Sequence, residues 1–330
     1  MKIGSLFSGG GGGDLGFTNA GHEIVFGCEI EPKARSVFRY HHPNIPIYHD
    51  VAEVTHARLI ADGIAIPDLI VGGSPCQDLS VAGKRAGLDG ERSGLFHEQC
   101  RIADEIAANW VCWENVPGAF SSNKGEDFAT VLGGLTGNTP TVPKQGWRNA
   151  GVCVGPKRVA VWRVLDAQNF GVPQRRRRVF VVAGPRALAR RVVGVLFELE
   201  SCDGNSSTIC KQKNEIGFRA EGRFGTTSAG GLNTIAQCLN HKYPRNDLQS
   251  DPFVIQEKTT SDSHQVLLRL HTPVECERLM GWPDNYTAFG LSDDGIEVEI
   301  ARTNRYRICG NGIVATVTKW IGNRLPQEQQ

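Results

Sequence analysis

The chain has 330 residues and a formal net charge of +1, a length that can bury one large core or two smaller ones. It contains no run of about 18 apolar residues and no signal-peptide pattern, which excludes a membrane helix and predicts a cytoplasmic protein. Its ten cysteines are scattered without paired or clustered spacing, so neither a disulfide framework nor a metal site is predicted.

Positive charge is concentrated in one segment of this nearly neutral chain. Residues 144–191 contain twelve Lys or Arg and one acid, a local charge of +11, which leaves −10 for the remainder. Such asymmetry is typical of a protein that docks a polyanion on one face, although a solvated basic face explains the same count. The charge pattern favours nucleic acid as a partner.

The first half of the chain alternates short apolar strands with helical segments, which predicts an α/β fold with a doubly wound, mostly parallel sheet. Gly, Ser, Thr, Asn and Lys then dominate residues 202–262, where a second, small irregular domain is expected. The predicted strands are 2–7, 22–29, 68–71, 111–114, 159–166, 179–183 and 267–270. The predicted helices are 15–20, 32–41, 95–109, 273–280 and 312–325.

Five consecutive glycines, residues 9–13, follow the first predicted strand and lead into a helix. A strand, a glycine turn and a helix N-terminus let a nucleotide-like ligand approach the backbone closely. Glu29, at the end of the second strand, can accept hydrogen bonds from ribose hydroxyls. A plain tight turn with a surface glutamate is the alternative interpretation.

Cys76 lies in the sequence Gly-Gly-Ser-Pro-Cys-Gln just after the apolar strand 68–71. A thiol on a Gly/Pro-rich turn at a strand end has the exposure of a nucleophile. Glu114 ends another apolar strand, where burial would favour its protonated form. In the arginine run 175–178, strand alternation directs Arg176 and Arg178 to one side.

Together these residues resemble the cytosine-C5 DNA methyltransferase family, whose motifs they match in order along most of the chain. A class I methyltransferase, Rossmann-like fold with a small target-recognition domain is therefore expected. The matching segments are the glycine loop from Phe7, then Glu29, Asp50-Val51, Pro75-Cys76-Gln77, Glu114-Asn115-Val116, Gln174 to Arg178, Thr272-Pro273, Glu275 to Leu279 and Gly310-Asn311-Gly312.

The resemblance implies a catalytic role for four residues. Cys76 would add to C6 of cytosine so that C5 can accept a methyl group. Glu114 would supply a proton or a hydrogen bond at N3 of the ring. Arg178 would hold the cytosine O2, with Arg176 as its partner near the active site and phosphate. The implied substrate-binding residues are Gln77, Ser80, Asn115, Val116 and Gln174.

The resemblance also implies S-adenosylmethionine as the methyl donor and S-adenosylhomocysteine as the product. Phe7 would stack on the adenine, Glu29 would bind the ribose, and Asp50 would lie near the base. Asn311, from the last helix, would lie on the cofactor side of the site. The implied cofactor-binding residues are Phe7, Ser8, Gly9, Gly11, Gly12, Glu29, Ile30, Asp50, Val51, Pro75, Leu95 and Asn311.

The implied organisation is a catalytic and cofactor-binding domain over 1–183, a target-recognition domain over 184–268 and a return to the catalytic domain over 269–330. The expected partner is double-stranded DNA with the target cytosine flipped out, with a possible cognate restriction endonuclease. The protein is expected to be a monomer without membrane contact. Ser5, Gly10 and Gly13 depart from the family pattern and affect the expected rigidity of the loop.

Three alternatives remain open from the sequence. An RNA cytosine-5 methyltransferase would use the same scaffold, and an inactive DNA-binding relative would keep the same motifs. A nicotinamide oxidoreductase would account for the glycine loop, where Gly11, Gly13 and Gly16 satisfy GxGxxG, but not for the other motifs.

Overall fold

The computed structural model describes residues 1–74, 94–198, 223–225, 253–260 and 263–326; for 223–225, 253–260 and 263–268 only the backbone is described. The strands are β1 Lys2–Leu6, β2 Glu23–Cys28, β3 Ile47–Tyr48, β4 Leu69–Gly72, β5 Trp110–Asn115, β6 Ala150–Val154, β7 Val159–Asp166, β8 Arg177–Gly184, β9 Arg223–Gly225, β10 Phe253–Thr260, β11 Ser263–Leu270, β12 Phe289–Leu291 and β13 Glu297–Glu299. The helices are α1 Gly12–Thr18, α2 Pro32–His41, α3 His56–Ala61, α4 Leu95–Glu105, α5 Glu126–Thr136, α6 Ala189–Leu196, α7 Pro273–Leu279, α8 Arg302–Asn311 and α9 Ala315–Gly322.

One large sheet organises the described part of the chain, with the strand order β3-β2-β1-β4-β5-β8-β7-β6. The five neighbouring strands β3, β2, β1, β4 and β5 run parallel to one another. Strand β8 is antiparallel to β5, β7 is antiparallel to β8, and β6 is antiparallel to β7. The connections reverse direction on either side of β1, as in a doubly wound sheet. The predicted fold class is confirmed, with an antiparallel extension that alternation alone did not reveal.

Two hydrophobic clusters cover the two faces of this sheet. Phe17, Trp110 and Ile321 belong to one cluster, and Phe26 and Trp113 belong to the other. Helices therefore pack on both sides, and the central strands read as apolar runs because neither face meets water.

Helix α9 packs against α1 and joins the end of the described chain to its beginning. The Thr318 hydroxyl donates a hydrogen bond to the carbonyl oxygen of Gly13 over 2.8 Å. A side chain at Gly16 would overlap Thr318, so the glycine permits this close approach of the two helices. The start of α1, which follows the glycine loop, is thereby held by the last helix.

Several boundaries differ from the sequence prediction for local reasons. The predicted helix 95–109 ends at Glu105, because Ala107 adopts a left-handed φ of 55°. The predicted helix 312–325 is shorter, Ala315–Gly322, and Asn311 is the last residue of α8 rather than part of that final helix. The elements that were not predicted are strands β3, β6, β9, β10, β12 and β13 and helices α3, α5, α6 and α8.

Helix α6 packs against β7 and β8 and buries Val192 and Val195 in the first hydrophobic cluster. It therefore covers the antiparallel part of the large sheet. No helix in the described ranges is both long and apolar enough to traverse a lipid bilayer.

Candidate active site

Those predicted site residues that the structure describes gather at one edge of the sheet. The connections after β1, β2, β4 and β5 all leave from the carboxyl ends of parallel strands. Ligands of doubly wound folds bind at this edge, at the point where the strand order reverses. Here that point lies between β1 and β4.

The glycine loop after β1 needs glycine for two separate reasons. Gly11 caps α1 with a left-handed φ of 81°, a conformation that side chains disfavour. At Gly12 an added methyl group would overlap the ring of Trp282. At Gly9, by contrast, an added Cβ would have no described atom within 4 Å. The loop is closely packed against Trp282 at Gly12 and has open space at Gly9.

Glu29 fastens this loop to the end of β2. One carboxylate oxygen accepts a hydrogen bond from the Gly9 amide over 2.8 Å, and the other accepts one from the Glu31 amide over 2.8 Å. Burial raises the pKa of Glu29, and these two amide donors lower it in part. The side chain of Ile30 beside it is 72% exposed. Glu29 thus supports the loop at the sheet edge where doubly wound folds bind their ligands.

The other predicted cofactor residues reach the same edge from different elements. Phe7 adopts a left-handed φ of 55°. The Ser8 hydroxyl lies within hydrogen-bond distance of the carbonyl oxygens of Ser5 and Cys28, to which it can donate. Asp50 accepts a hydrogen bond from the Ala52 amide and caps the turn that contains buried Val51. Leu95 is the first residue of α4, and Asn311 is the exposed last residue of α8.

Glu114 and Arg178 form an ion pair in which Nε lies 3.1 Å from Oε1, and both side chains are largely buried. Burial raises the pKa of Glu114, and the guanidinium groups of Arg178 and Arg176 only partly offset this rise. An ideal Cβ on Gly73 would lie 2.9 Å from Glu114 Oε2. The carboxyl group therefore lies against the backbone that leads toward residue 75.

Ser74 is held to β5 by two hydrogen bonds. The indole of Trp113 donates to the Ser74 hydroxyl over 3.0 Å, and the amide of Asn115 donates to the Ser74 carbonyl oxygen over 2.8 Å. The Asn115 side-chain oxygen in turn accepts from the Val116 amide. Asn115, predicted to bind substrate, is therefore hydrogen-bonded to the residue immediately before Pro75 and Cys76. Val116 is 39% exposed.

The arginine run separates into two sets. Arg176 is buried and donates to the carbonyl oxygens of Gly310 and Gly312, whereas Arg175 and Arg177 are exposed. Gln174 is fully buried, and within the described residues neither atom of its side-chain amide has a hydrogen-bond partner. Alternate side chains face opposite ways, as strand geometry requires.

Four predicted residues, Pro75, Cys76, Gln77 and Ser80, lie outside the described residues. Their roles stay predictions. The nearest described residues to them in sequence are Ser74 on one side and Gly94 on the other.

Some of the basic residues in the segment 144–191 form contacts within the protein. Lys157 and Arg158 both pair with Asp104, and Arg163 donates to the Leu196 carbonyl oxygen. Apart from Lys157, the exposed members, which can face a polyanion, are Lys144, Arg148, Arg175, Arg177, Arg186, Arg190 and Arg191.

A buried polar group behind the glycine loop was missed by the sequence reading. Asp14 is 2% exposed, and burial raises its pKa to about 7 even though Ser5 forms a hydrogen bond with it. One Asp14 oxygen, the Tyr286 hydroxyl and His42 Nε2 are buried without hydrogen-bond partners in the described structure. The unusual acid within a glycine-rich helix start was the available signal.

Comparison with known proteins agrees with this geometry. The model of the C-5 cytosine-specific DNA methylase family matches residues 1–192. The Type II methyltransferase M.FnuDI of Fusobacterium nucleatum is 33% identical over 366 residues, covering 99% of this chain and 94% of that protein. The Type II methyltransferase M2.BsuMI of Bacillus subtilis (strain 168) is 28% identical, covering 99% of this chain and 76% of that protein.

Two further similarities qualify the comparison. A protein of Escherichia phage P1 named DNA N-6-adenine-methyltransferase is 26% identical over 98% of this chain, which spans 61% of its length. The crystal structure of the S. pombe Dnmt2 methyltransferase superposes with a TM-score of 0.60 at 18% identity, covering 97% of this chain and 96% of that one. This similarity supports a class I methyltransferase fold. The chain belongs to the family of C-5 cytosine-specific DNA methylases.

Proposed function

We propose that the protein transfers a methyl group from S-adenosylmethionine to C5 of a flipped-out cytosine in a short duplex DNA site. The observation that carries the proposal is the buried Glu114–Arg178 pair lying against Gly73. This pair sits at the carboxyl edge of the sheet, and Gly73 lies three residues before the cysteine of a Pro-Cys-Gln motif. Family membership and the bacterial Type II relatives support DNA as the substrate.

The cleft between β1 and β4 fits the proposed cofactor. The Gly9 amide and the Glu29 carboxylate are fixed to each other at its rim, where a ribose would find acceptors. Exposed Ile30 and the strained Phe7 offer apolar surface for a purine, and Asn311 is exposed at the end of α8. When bound, S-adenosylmethionine supplies an electrophilic methyl group.

Cys76 is the proposed nucleophile. Its thiolate adds to C6 of the cytosine, which makes C5 electron-rich and able to accept the methyl group. Loss of the C5 proton to a base then expels the thiolate and restores the ring. Trp113 and Asn115, through Ser74, would hold the start of the turn that carries this cysteine.

Glu114 is the proposed group at N3 of the cytosine ring. As the thiolate adds, negative charge develops on the ring, and a proton or hydrogen bond at N3 relieves it. A carboxyl group with a raised pKa keeps its proton to a higher pH than an ordinary carboxyl group does, and in that form it can donate the bond. Arg178, paired with it, would hold the cytosine O2.

The exposed arginines and lysines of residues 144–191 would contact DNA phosphates, which adds salt-sensitive affinity without sequence information. We propose that residues 184–268 include the target-recognition domain and that the enzyme acts as a monomer. A cognate restriction endonuclease is a possible partner in a modification system.

The deciding experiment measures transfer of a labelled methyl group to duplex DNA, tRNA and a DNA control without protein. The hydrolysed product is then separated by mass spectrometry into 5-methylcytosine and N6-methyladenine. We expect 5-methylcytosine in DNA and no transfer by the Cys76→Ala variant. Undiminished methylation by that variant would contradict the proposed mechanism.

Other outcomes identify the alternatives. Faster labelling of tRNA would assign an RNA substrate, and N6-methyladenine would extend to this chain the activity named for the phage P1 relative. Binding of DNA that contains 5-fluorocytosine without a covalent complex would indicate an inactive relative. Tight NADH binding without S-adenosylmethionine binding would indicate an oxidoreductase.

A further inference from the structure

The guanidinium group of Arg176 connects the arginine run to the end of α8. The side chain is 3% exposed, and Nη2 donates to the Gly310 carbonyl oxygen over 2.9 Å and to the Gly312 carbonyl oxygen over 2.8 Å. Its backbone amide donates to Asp166 over 3.1 Å. The side chain therefore extends from a fixed anchor into the turn between α8 and α9.

These two carbonyl oxygens lie at a position where a helix cannot satisfy them itself. The last carbonyl groups of any helix have no intrahelical partners and need donors from elsewhere. Arg176 supplies a charged donor to the residues immediately before and after Asn311, and bonds to a charged donor are stronger than neutral ones. The conformation of the turn at Asn311 thus depends on this side chain.

The same turn forms the rear wall of the glycine loop. An ideal Cβ at Gly10 would lie 2.8 Å from Ile308, one turn before the end of α8. The Trp282 ring fills the space beside both Gly12 and Gly312, and its indole donates to the Ile313 carbonyl oxygen over 3.3 Å. A shift of this turn would therefore shift the loop.

Arg176 also borders the other half of the site. Together with Glu114 and Arg178 it lines one small pocket, and its positive charge lowers the pKa of Glu114, against the larger effect of burial. One buried side chain thus borders the pocket of the carboxyl group proposed to act at the target base and donates hydrogen bonds to the turn proposed to hold the cofactor.

We propose that Arg176 is a positioning residue for the cofactor half of the site, setting the Asn311 turn and the glycine loop so that S-adenosylmethionine binds. This inference rests on the proposed function, because it presumes that the cleft binds that cofactor. It adds a role distinct from contact with the DNA. Loss of the Arg176 bonds would weaken cofactor binding even without DNA.

The experiment measures S-adenosylhomocysteine binding to the full chain by titration calorimetry in the absence of DNA. Arg176→Met keeps the length and apolar stem of the side chain but removes both bonds to the turn. We expect about tenfold weaker binding, equivalent to about 1.4 kcal/mol, because the charge-assisted bonds that hold the turn are lost. Arg176→Lys, which keeps a charged donor, should recover part of the affinity.

Two matched controls separate this role from general destabilisation and from DNA contact. Arg158 is also buried and donates to the carbonyl oxygens of Leu135 and Ala108, but it lies at the opposite edge of the sheet. Arg158→Met should lower the melting temperature comparably and leave the binding constant within about twofold. Arg178→Met, beside Glu114, should also leave cofactor binding within about twofold.

Hydrogen exchange gives an independent reading of the same turn. Peptides covering residues 308–316 should exchange faster in Arg176→Met than in Arg158→Met. Unchanged affinity and unchanged exchange in Arg176→Met would overturn the inference while leaving the proposed function intact. Failure of the unmodified protein to bind S-adenosylhomocysteine would overturn both.

Discussion

The indole nitrogen of Trp113 donates a hydrogen bond to the hydroxyl group of Ser74 across 3.0 Å, joining the end of β5 to the residue that precedes Pro75-Cys76. Both side chains are buried, so the bond forms away from water. The strand that carries Glu114 is thereby joined to a residue that lies two positions before Cys76, the proposed nucleophile. A change in this hydrogen bond would move residue 74 relative to Glu114. In the proposed mechanism it would thereby displace Cys76 relative to Glu114.

This relationship predicts coupling between Trp113→Phe and Ser74→Ala in the rate of methyl transfer. Each single change should slow single-turnover transfer several-fold, because misplacement of a nucleophile is costly. In the double variant the losses should be less than additive, with a coupling of about 1 kcal/mol. The measurement is a double-mutant cycle in single-turnover rate and in free energy of unfolding. Fully additive rate losses would contradict the prediction.

Glu114→Gln should reduce the rate of transfer by about a hundredfold or more, since glutamine cannot supply a proton at N3. S-adenosylhomocysteine affinity should stay within about twofold, because Glu114 lies in the base half of the site. Exposed Glu126, at the start of α5, provides the control variant Glu126→Gln, which should keep full activity. Equal losses of rate and cofactor affinity in Glu114→Gln would argue for a structural role instead.

The raised pKa of Glu114 also sets the direction of a pH profile. The protonated form donates the proposed bond, so activity should fall as pH rises through the pKa of this group, which lies above the ordinary carboxyl value of 4.5. The Glu114→Gln variant should lose this basic limb. Rates measured across pH in the same assay test the prediction.

Asp14→Asn should stabilise the protein at high pH and not at low pH. Burial raises the pKa of Asp14 to about 7 from 3.8, so the folded state retains a proton that the unfolded state has lost. The free energy of unfolding contributed by this group is highest below about pH 4, falls as pH rises to about 7 and then stays low.

The groups that face Asp14 do not cancel this effect. Ser5 forms a hydrogen bond with it, the Tyr286 hydroxyl is neutral in this range, and burial lowers the pKa of His42 to about 4, so His42 supplies no cation near neutrality. Urea unfolding at about pH 4.5 and pH 8 should show a gain on the order of 1–3 kcal/mol only at the higher pH. A gain of equal size at both pH values would contradict the assignment.

Gly12→Ala should destabilise the fold by roughly 2–4 kcal/mol and weaken cofactor binding, because its methyl group would overlap the Trp282 ring. Gly13→Ala is the matched control in the same helix start. Its Cβ would lie 3.3 Å from the nearest atom of Ile313, and alanine favours a helix over glycine. Chemical denaturation should leave Gly13→Ala within about 1 kcal/mol of the unmodified protein. Similar losses at both positions would show that the loop needs glycine for flexibility instead.

The sequence alone determined the fold class and the identity of the candidate site. Apolar runs of strand length with intervening helical periodicity specify a buried parallel sheet, and strands β1, β5 and β7 appear within a residue or two of prediction. The positions of Glu29, Glu114 and the alternating arginines at strand ends followed from backbone geometry, which acts over a few residues. The apolar strand before Glu114 predicted the burial of its carboxyl group, and that burial raises its pKa.

Only the tertiary structure decided how these residues are held. The bonds of Arg176 to Gly310 and Gly312, of Asn115 to Ser74 and of Glu29 to Gly9 join segments up to 136 residues apart, and no local pattern encodes such partners. Strands β6 and β3 escaped prediction because short edge strands form by pairing with a neighbour rather than by their own propensity. The buried charge of Asp14 likewise results from packing against elements that meet only in the folded chain.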